Sequence, residues 1–215
     1  MDIVKNFKLI KKTITDNVQI IAVSKTKSKD EILKIYNIGH KNFGENKIQE
    51  LKEKYNQLPK DIKWHMIGHV QRNKVKYIAP FIELIHSVDS LKLMLEINKQ
   101  GEKNKRTIKC LLQIKIANEE NKFGLFKDEV ENLISLSNNL NYIKIIGLMG
   151  MATYTNNDKI IDREFKEIYN LFKILKISYK QLSILSIGMS NDYLIAINNG
   201  SNMVRIGSQI FGERN

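Results

Sequence analysis

Short apolar runs alternate along this chain with amphipathic segments of helical period. The runs predict strands at 19–24, 42–44, 63–67, 82–86, 107–116, 143–149, 182–187 and 202–206. The amphipathic segments predict helices at 46–56, 71–79, 90–100, 126–138, 159–176 and 191–199. Ser28 and Glu31 form a capping-box pattern that opens a further helix, which Gly39 closes. Another helix precedes the first strand, with Ile3, Phe7 and Ile10 on its apolar side.

The order of these segments predicts a closed parallel barrel. Eight strands are expected, and seven of them are followed by a clear helix, so each crossover returns the chain in the same direction. We therefore expect an α/β protein, a single (β/α)8 TIM barrel over residues 1–215 with an extra N-terminal helix. A doubly wound open sheet is the alternative, and the lack of Gly-x-Gly-x-x-Gly after the first strand weakens it.

Composition indicates a soluble globular protein. Hydrophobic residues make up 42% of the 215 and charged residues 27%. No apolar run approaches the roughly 18 residues of a spanning helix, and the N-terminus lacks the pattern of a signal peptide. The one cysteine, Cys110, lies in an apolar run, which predicts a buried thiol and no disulfide. We expect a cytoplasmic protein that does not bind membranes.

The net charge of +12 raises the question of a nucleic-acid partner. The lysines are scattered, often at helical spacing beside glutamates, which is typical of a solvated surface. The basic run 71–76 is compatible with docking of an acidic partner, but the pattern favours a solvated helix face. We expect no nucleic-acid binding.

Candidate chemistry is concentrated where the predicted strands end, the edge at which such barrels carry their sites. Gly188-Met-Ser190 follows the seventh strand and Gly207-Ser208 follows the eighth. Backbone amides and hydroxyls after these two strands commonly bind a phosphate. Ser190 alone could simply cap the next helix, but its combination with Gly207-Ser208 favours an anion site.

Lys25 follows the first strand and is the candidate nucleophile. A packed stem, a partly desolvated amine and the nearby cation Arg205 would lower its pKa and make it reactive toward carbonyls. The pattern alone does not choose between Lys25 and Lys27. A phosphate site beside a reactive lysine suggests an aldehyde that carries a phosphate, and pyridoxal 5′-phosphate (PLP) is such a compound.

Motifs along essentially the whole chain resemble those of the pyridoxal phosphate homeostasis protein family. They are Ala22-Val-Ser-Lys-Thr-Lys27, Phe43-Gly-Glu-Asn46 with Gln49, His65-Met-Ile-Gly68, Gln71-Arg-Asn-Lys74, Gly147-Leu-Met149, Gly188-Met-Ser-Asn-Asp192 and Met203-Val-Arg-Ile-Gly207. The chain departs from the family pattern at Ser28, where proline is usual, and at Ser208, where threonine is common. Neither change removes a group that cofactor binding needs.

The resemblance implies a fold-type III PLP barrel, like the N-terminal domain of alanine racemase. It implies that Lys25 holds PLP as an internal aldimine, that Ser190, Gly207 and Ser208 bind the phosphate, and that Arg205 faces the pyridine nitrogen. Asn46 and His65 match motifs at the mouth of the barrel.

For function, the resemblance implies a monomeric PLP-binding protein that buffers or delivers the cofactor to apo PLP-dependent enzymes and is not itself an enzyme. Since the sequence ends shortly after the last strand, we expect no C-terminal β domain of the racemase kind. The alternative is a minimal racemase-like enzyme, with Tyr154, His65 or Lys74 as its second base.

Overall fold

The computed structural model of the chain describes residues 2–117 and 123–213. The eight strands are β1 (Gln19–Val23), β2 (Asn42–Glu45), β3 (Lys63–Met66), β4 (Leu84–Val88), β5 (Ile108–Ile114), β6 (Ile143–Gly150), β7 (Ile184–Met189) and β8 (Met203–Ile206). All neighbouring pairs are parallel, and the pairing of β1 with both β2 and β8 closes the barrel. The predicted TIM barrel is thereby confirmed.

Eight α-helices are found in this part of the chain. They are α1 (Ile3–Thr13), α2 (Lys29–Tyr36), α3 (Ile48–Gln57), α4 (Leu91–Lys103), α5 (Lys127–Ser137), α6 (Asp158–Ser178), α7 (Tyr193–Asn198) and α8 (Ser208–Phe211). α1 is the predicted additional N-terminal helix, and the Ser28–Glu31 capping box at the start of α2 is confirmed. The predicted domain bounds of 1–215 include Met1, 118–122 and 214–215, which lie outside the described residues.

The connection between β3 and β4 differs from the sequence prediction. The expected helix at 71–79 is a 3-10 helix at Arg72–Tyr77, and β4 begins two residues later than expected, at Leu84. Pro80 follows this segment closely. Because a proline disfavours the α conformation of the residue before it, the segment forms a short 3-10 helix in place of the expected α-helix. Buried Ile82 therefore belongs to the turn that precedes the strand.

The barrel has an apolar layer outside the sheet and a smaller one inside it. The outer core packs the strands against the helices and includes the fully buried Trp64, Phe43 and Phe165. Inside the barrel, five buried residues form a separate cluster: Ile21, Leu84, Leu111, Met149 and Met203. This inner cluster fills the interior beside the polar residues described below, since Ile21 pairs with Arg205 and Met149 with Ser186 in the register.

Two sequence-based expectations concern Cys110 and membrane spans. Cys110 is fully buried and free, and burial raises the pKa of its thiol. Within residues 2–117 and 123–213, no helix combines the length and the apolar character needed to cross a bilayer.

Close packing of β6 against β7 depends on Gly147. A Cβ atom at this position would lie 1.9 Å from the carbonyl oxygen of Ile184. Gly147→Ala should therefore lower the free energy of unfolding by about 1–3 kcal/mol, because the backbones would have to separate. Thermal or denaturant unfolding measures the change.

Gly39→Ala is the control, because its Cβ would meet nothing within 4 Å although its φ is +90°. Its expected cost is about 1 kcal/mol from backbone strain alone. A Gly147→Ala protein as stable as the Gly39→Ala protein would contradict the close-approach argument.

Candidate functional site

The six predicted site residues lie on one sector of the barrel, in or directly after four adjacent strands. Ser190 follows β7, Arg205 belongs to β8, Gly207 and Ser208 follow β8, Lys25 follows β1, and Asn46 follows β2. Because parallel strands end at the same edge, the order β7-β8-β1-β2 brings these residues to one part of the rim.

Ser190 and Gly207 are joined directly across two strand ends. The backbone N–H of Gly207 donates a hydrogen bond to Oγ of Ser190 over 3.1 Å, and Nε2 of Gln209 donates to the carbonyl of Ser190 over 2.6 Å. Since the Ser190 oxygen accepts a bond, its own proton is left for donation to an anion. The backbone N–H groups of Ser190 and Asn191 have no acceptor among the described residues. Together these donors fit a phosphate.

Ser190 is not the cap of the helix that follows it, which corrects one reading of the sequence. α7 begins at Tyr193, two residues later than predicted, and its N-cap residue is Asp192. Oδ1 of Asp192 instead accepts the backbone N–H of Met189 over 2.5 Å and so fixes the turn before Ser190. The hydroxyl of Ser190 is therefore free of the capping role that competed with anion binding.

Arg205 is buried inside the barrel with part of its donor capacity uncommitted. Its Nη1 donates to the carbonyl and to Oγ of Ser186, both over 2.7 Å, and its Nη2 donates to the carbonyl of Gly150 over 3.0 Å. One Nη2 proton and the Nε proton have no acceptor among the described residues. Burial lowers the pKa of Arg205 to about 10, so the guanidinium remains charged at neutral pH.

Two histidines extend the contacts of Arg205 across the barrel interior. Nδ1 of His86 lies 3.1 Å from Oγ of Ser186, and Nε2 of His86 lies 3.0 Å from Nδ1 of His65. Because the Ser186 hydroxyl oxygen accepts a hydrogen bond from Arg205, its O–H can donate a hydrogen bond to Nδ1 of His86, and Nε2–H of His86 then donates one to Nδ1 of His65. This direction leaves the proton of His65 on Nε2, an atom that is buried without a partner among the described residues.

Both histidines are neutral at physiological pH. Burial lowers the pKa of His65 to about 3, and burial with nearby His65 and Arg205 holds that of His86 well below its usual value. His65 is only 2% exposed, so it belongs to the interior and not to the open mouth where the sequence motif had suggested it. Arg205 is consequently the cation of this interior polar chain.

The two lysines of the first strand end differ in their surroundings. Nζ of Lys27 donates to the carbonyls of Phe211 and Glu213 over 3.1 and 3.4 Å, and lies 3.8 Å from a carboxylate oxygen of Glu31. Lys25 is half-buried at the rim. Ile21, on β1, belongs to the cluster inside the barrel, and Lys25 lies in the turn that follows this strand.

A buried ionic cluster lies beside the turn that carries Lys25. Nζ of Lys54 donates to the carbonyl of Ser24 over 2.7 Å, to Oε1 of Glu45 over 2.8 Å and to Oε1 of Glu50 over 2.7 Å. Ser24 donates its hydroxyl to Glu45, and the backbone N–H of Thr26 donates to Glu50. Burial outweighs the Lys54 ammonium and raises the pKa of Glu45 to about 7.

Asn46 is half-buried next to this cluster. Val23 of β1 pairs with Gly44 of β2. Lys25 and Asn46 each come two residues after this pair, so they follow neighbouring strand ends at the same level. Gly68 packs against the backbone of Asn46, since a Cβ there would lie 2.3 Å from the Asn46 carbonyl oxygen. The chain segment that carries Asn46 is thus fixed in place.

Sequence reasoning missed the residues that support this rim. Ser186 and His86 were parts of predicted strands, and Glu50 with Lys54 looked like an ordinary helical i, i+4 pair. The available signal was a polar side chain within an apolar strand, which is unusual unless a partner is present. Their partners come from distant strands, and only the fold reveals them.

The geometry therefore combines three features: an anion cradle formed by the Ser190 hydroxyl and the backbone N–H groups of Ser190 and Asn191, a buried guanidinium at Arg205, and Lys25 after a nearby strand. These features fit a ligand with a phosphate, a hydrogen-bond acceptor and a carbonyl carbon.

Comparison with known sequences gives a consistent result. The family model for the N-terminal domain of alanine racemase matches residues 2–215. The pyridoxal phosphate homeostasis protein of Helicobacter pylori strain 26695 is 40% identical over 199 residues, covering 91% of this chain and 88% of that protein. The protein of the same name from Aquifex aeolicus is 37% identical over 198 residues, covering 91% and 87%.

Solved structures agree with these matches. PipY of Synechococcus elongatus, in a structure with PLP bound, superposes with a TM-score of 0.90 at 29% identity, covering 98% of this chain and all of that one. Alanine racemase from Clostridium difficile superposes with a TM-score of 0.83 at 15% identity, covering 99% of this chain and 57% of that one, which shows a shared barrel fold. These relatives cover the barrel and most of the chain's length. The chain therefore belongs to the pyridoxal phosphate homeostasis protein family, whose barrel matches the family model for the N-terminal domain of alanine racemase.

Proposed function

We propose that this protein binds PLP through Lys25 and acts in intracellular PLP homeostasis by buffering and delivering the cofactor. The observation that carries the proposal is the set of open donors at Ser190, namely its hydroxyl and the backbone N–H groups of Ser190 and Asn191, which have no acceptor among the described residues and suit an anion. The PLP-bound structure of PipY, which this chain matches over 98% of its length, supports the choice of ligand.

Lys25 is the proposed attachment point because the family resemblance assigns the cofactor to the first lysine of Ser24-Lys-Thr-Lys27, and Lys25 is half-buried at the rim. Nζ of Lys27 lies against the C-terminal segment and α2. Lys25 would supply the amine for a C=N bond to the aldehyde carbon of PLP, with the carbonyl oxygen and the two amine hydrogens released as water, so that no oxidant or reductant would be needed.

Ser190, Gly207 and Ser208 are proposed to bind the phosphate, with Arg205 facing the pyridine nitrogen. When bound, PLP supplies a ring that withdraws electrons from the carbon joined to the lysine. Arg205 would donate a hydrogen bond to the ring nitrogen without giving up its proton, so the ring would stay a weaker electron sink. Asn46 lines the same rim beside Lys25.

The surroundings of Lys25 favour a cofactor carrier over a racemase. Of the candidate second bases, His65 is buried and hydrogen-bonded to His86, while Tyr154 is 90% exposed on the segment after β6. Asn191 and Ser208 at the rim are exposed, so water reaches the position where a reactive carbanion would need protection. We propose that the protein is not an enzyme.

The localisation, oligomeric state and partners are proposed from the family resemblance. We propose a cytoplasmic monomer, a single domain over 1–215, that passes PLP to apo PLP-dependent enzymes and binds neither membranes nor nucleic acid. The basic run 71–76 lies mainly on the surface of the 3-10 helix, with Val75 buried, which suits a solvated face.

Removing the Lys25 amine should abolish covalent attachment of PLP. After incubation with PLP and reduction by borohydride, peptide mass mapping of the unaltered protein should place the adduct on Lys25. Lys25→Ala should lose both the adduct and the visible absorbance of the bound cofactor, because no amine remains to form the C=N bond. Lys27→Ala should keep both. An adduct on Lys27 would contradict the assignment.

Removing the Ser190 hydroxyl should weaken the phosphate site. Ser190→Ala loses one bond to a charged group, about 1.5–3 kcal/mol, and should raise the Kd for PLP roughly 10- to 100-fold. Equilibrium titration followed by absorbance measures it. Ser183→Ala, at an exposed position before β7, is the matched control and should bind as the unaltered protein does. Equal affinity of the two variants would exclude Ser190 from the cradle.

The racemase alternative predicts exchange of a substrate proton with solvent. With alanine, PLP and the protein in heavy water, we expect the α-proton to exchange no faster than with free PLP alone, because His65 is buried and hydrogen-bonded to His86 while Tyr154 is 90% exposed. NMR follows this exchange. Exchange accelerated by the protein and lost in Lys25→Ala would establish the enzymatic alternative.

A further inference from the structure

We propose that Lys54, with Glu45 and Glu50, is a positioning group that fixes the backbone on both sides of Lys25 and thereby holds its amine ready for the PLP aldehyde. This inference rests on the proposed function, because it assigns to Lys25 the covalent step. Lys54 lies on α3, outside the sheet, and does not itself face the ligand.

The residue before Lys25 is held at two points. The carbonyl of Ser24 accepts the Lys54 ammonium over 2.7 Å, and the hydroxyl of Ser24 donates to Oε1 of Glu45 over 2.5 Å. The same Glu45 oxygen accepts from Lys54 over 2.8 Å. Both the main chain and the side chain of Ser24 are therefore bound to one buried ion pair.

The residue after Lys25 is held by the other carboxylate. Thr26 has a φ of +65°, a left-handed conformation that a β-branched residue rarely adopts unless its surroundings impose it. Its backbone N–H donates to Oε1 of Glu50 over 2.6 Å, and that oxygen also accepts from Lys54 over 2.7 Å. One ammonium thus connects the restraints on either side of Lys25.

The arrangement of the strand separates the restraint from the ligand. Ile21 faces the interior of the barrel, so alternation directs Ser24 outward toward α3. Lys54 is only 7% exposed and Glu45 is fully buried, which shields their attraction from water. The cluster can therefore hold the turn firmly while leaving the inward side open to PLP.

A purely structural ion pair would stabilise the barrel without affecting the rate of attachment, and this difference makes the inference testable. If the cluster positions Lys25, loosening it should slow formation of the C=N bond, because a small displacement of a reacting group lowers its reactivity. Binding of pyridoxine 5′-phosphate, which has the phosphate and ring but no aldehyde, should change little, because the cradle on β7 and β8 is separate.

The experiment compares the unaltered protein with Lys54→Met and Lys54→Arg. Stopped-flow absorbance follows attachment of PLP, and borohydride trapping with mass mapping confirms the residue. For Lys54→Met we expect attachment to Lys25 to slow by roughly 10-fold or more, with the Kd for pyridoxine 5′-phosphate within about twofold. Lys54→Arg keeps the charge and should restore much of the rate.

Two further variants separate positioning from loss of stability. Leu51→Ala removes a fully buried apolar side chain from the same helix without touching the ionic cluster, and should leave the attachment rate unchanged at a temperature where it is folded. Glu50→Ala, at a side chain 23% exposed, removes the acceptor of Thr26 and should slow attachment even if Lys54→Met does not fold.

Attachment rates in Lys54→Met or Glu50→Ala equal to that of the unaltered protein would overturn the inference and leave the proposed function intact. So would an equal slowing by Leu51→Ala. An unaltered protein that forms no adduct on Lys25 would overturn both.

Discussion

The parallel pairing of β1 with β8 is the constraint on which the rest of the site depends. It pairs the first strand of the chain with the last one and places Ile21 beside Arg205 in the register. The lysine after β1 and the donors after β8 come from opposite ends of the sequence, and this pairing alone makes them neighbours. A barrel that failed to close would keep each motif intact and still lose the site.

Closing the barrel creates an interior that must accommodate a charge. Arg205 is 3% exposed, and a buried cation is costly unless its protons find acceptors. Ser186 and the carbonyl of Gly150 meet that need, and His86 with His65 continues the chain of hydrogen bonds in neutral form. Because neither histidine is charged, the positive field in the barrel interior comes from one guanidinium, which remains directed at whatever acceptor enters the mouth.

The sequence was sufficient for the architecture and for the positions of the rim motifs. Alternation of apolar runs and amphipathic helices follows from local periodicity, so the barrel could be predicted, and Lys25, Ser190, Gly207 and Ser208 could be selected because they follow strands one, seven and eight. Asn46 and the role of Arg205 came from the resemblance to the family. The start of β4 at Leu84 could not, because Ile82 is as apolar as a strand residue and is buried by a turn instead. His65 was misplaced for a related reason, since a motif gives a residue's strand but not the depth of its side chain.

Lys54 shows why the supporting residues escape such reasoning. In the sequence it is one lysine among many, four residues after a glutamate, a spacing typical of solvated helices. Its burial follows from the packing of α3 against β2 and β3, where Glu45 already occupies an enclosed position. Replacing a buried ion pair by apolar residues of similar volume is often neutral or stabilising. A contribution to stability alone therefore does not explain why the chain has a buried Lys54–Glu45 pair. Its three acceptors lie around the turn of Lys25, which gives the pair a positional role that an apolar core would not supply.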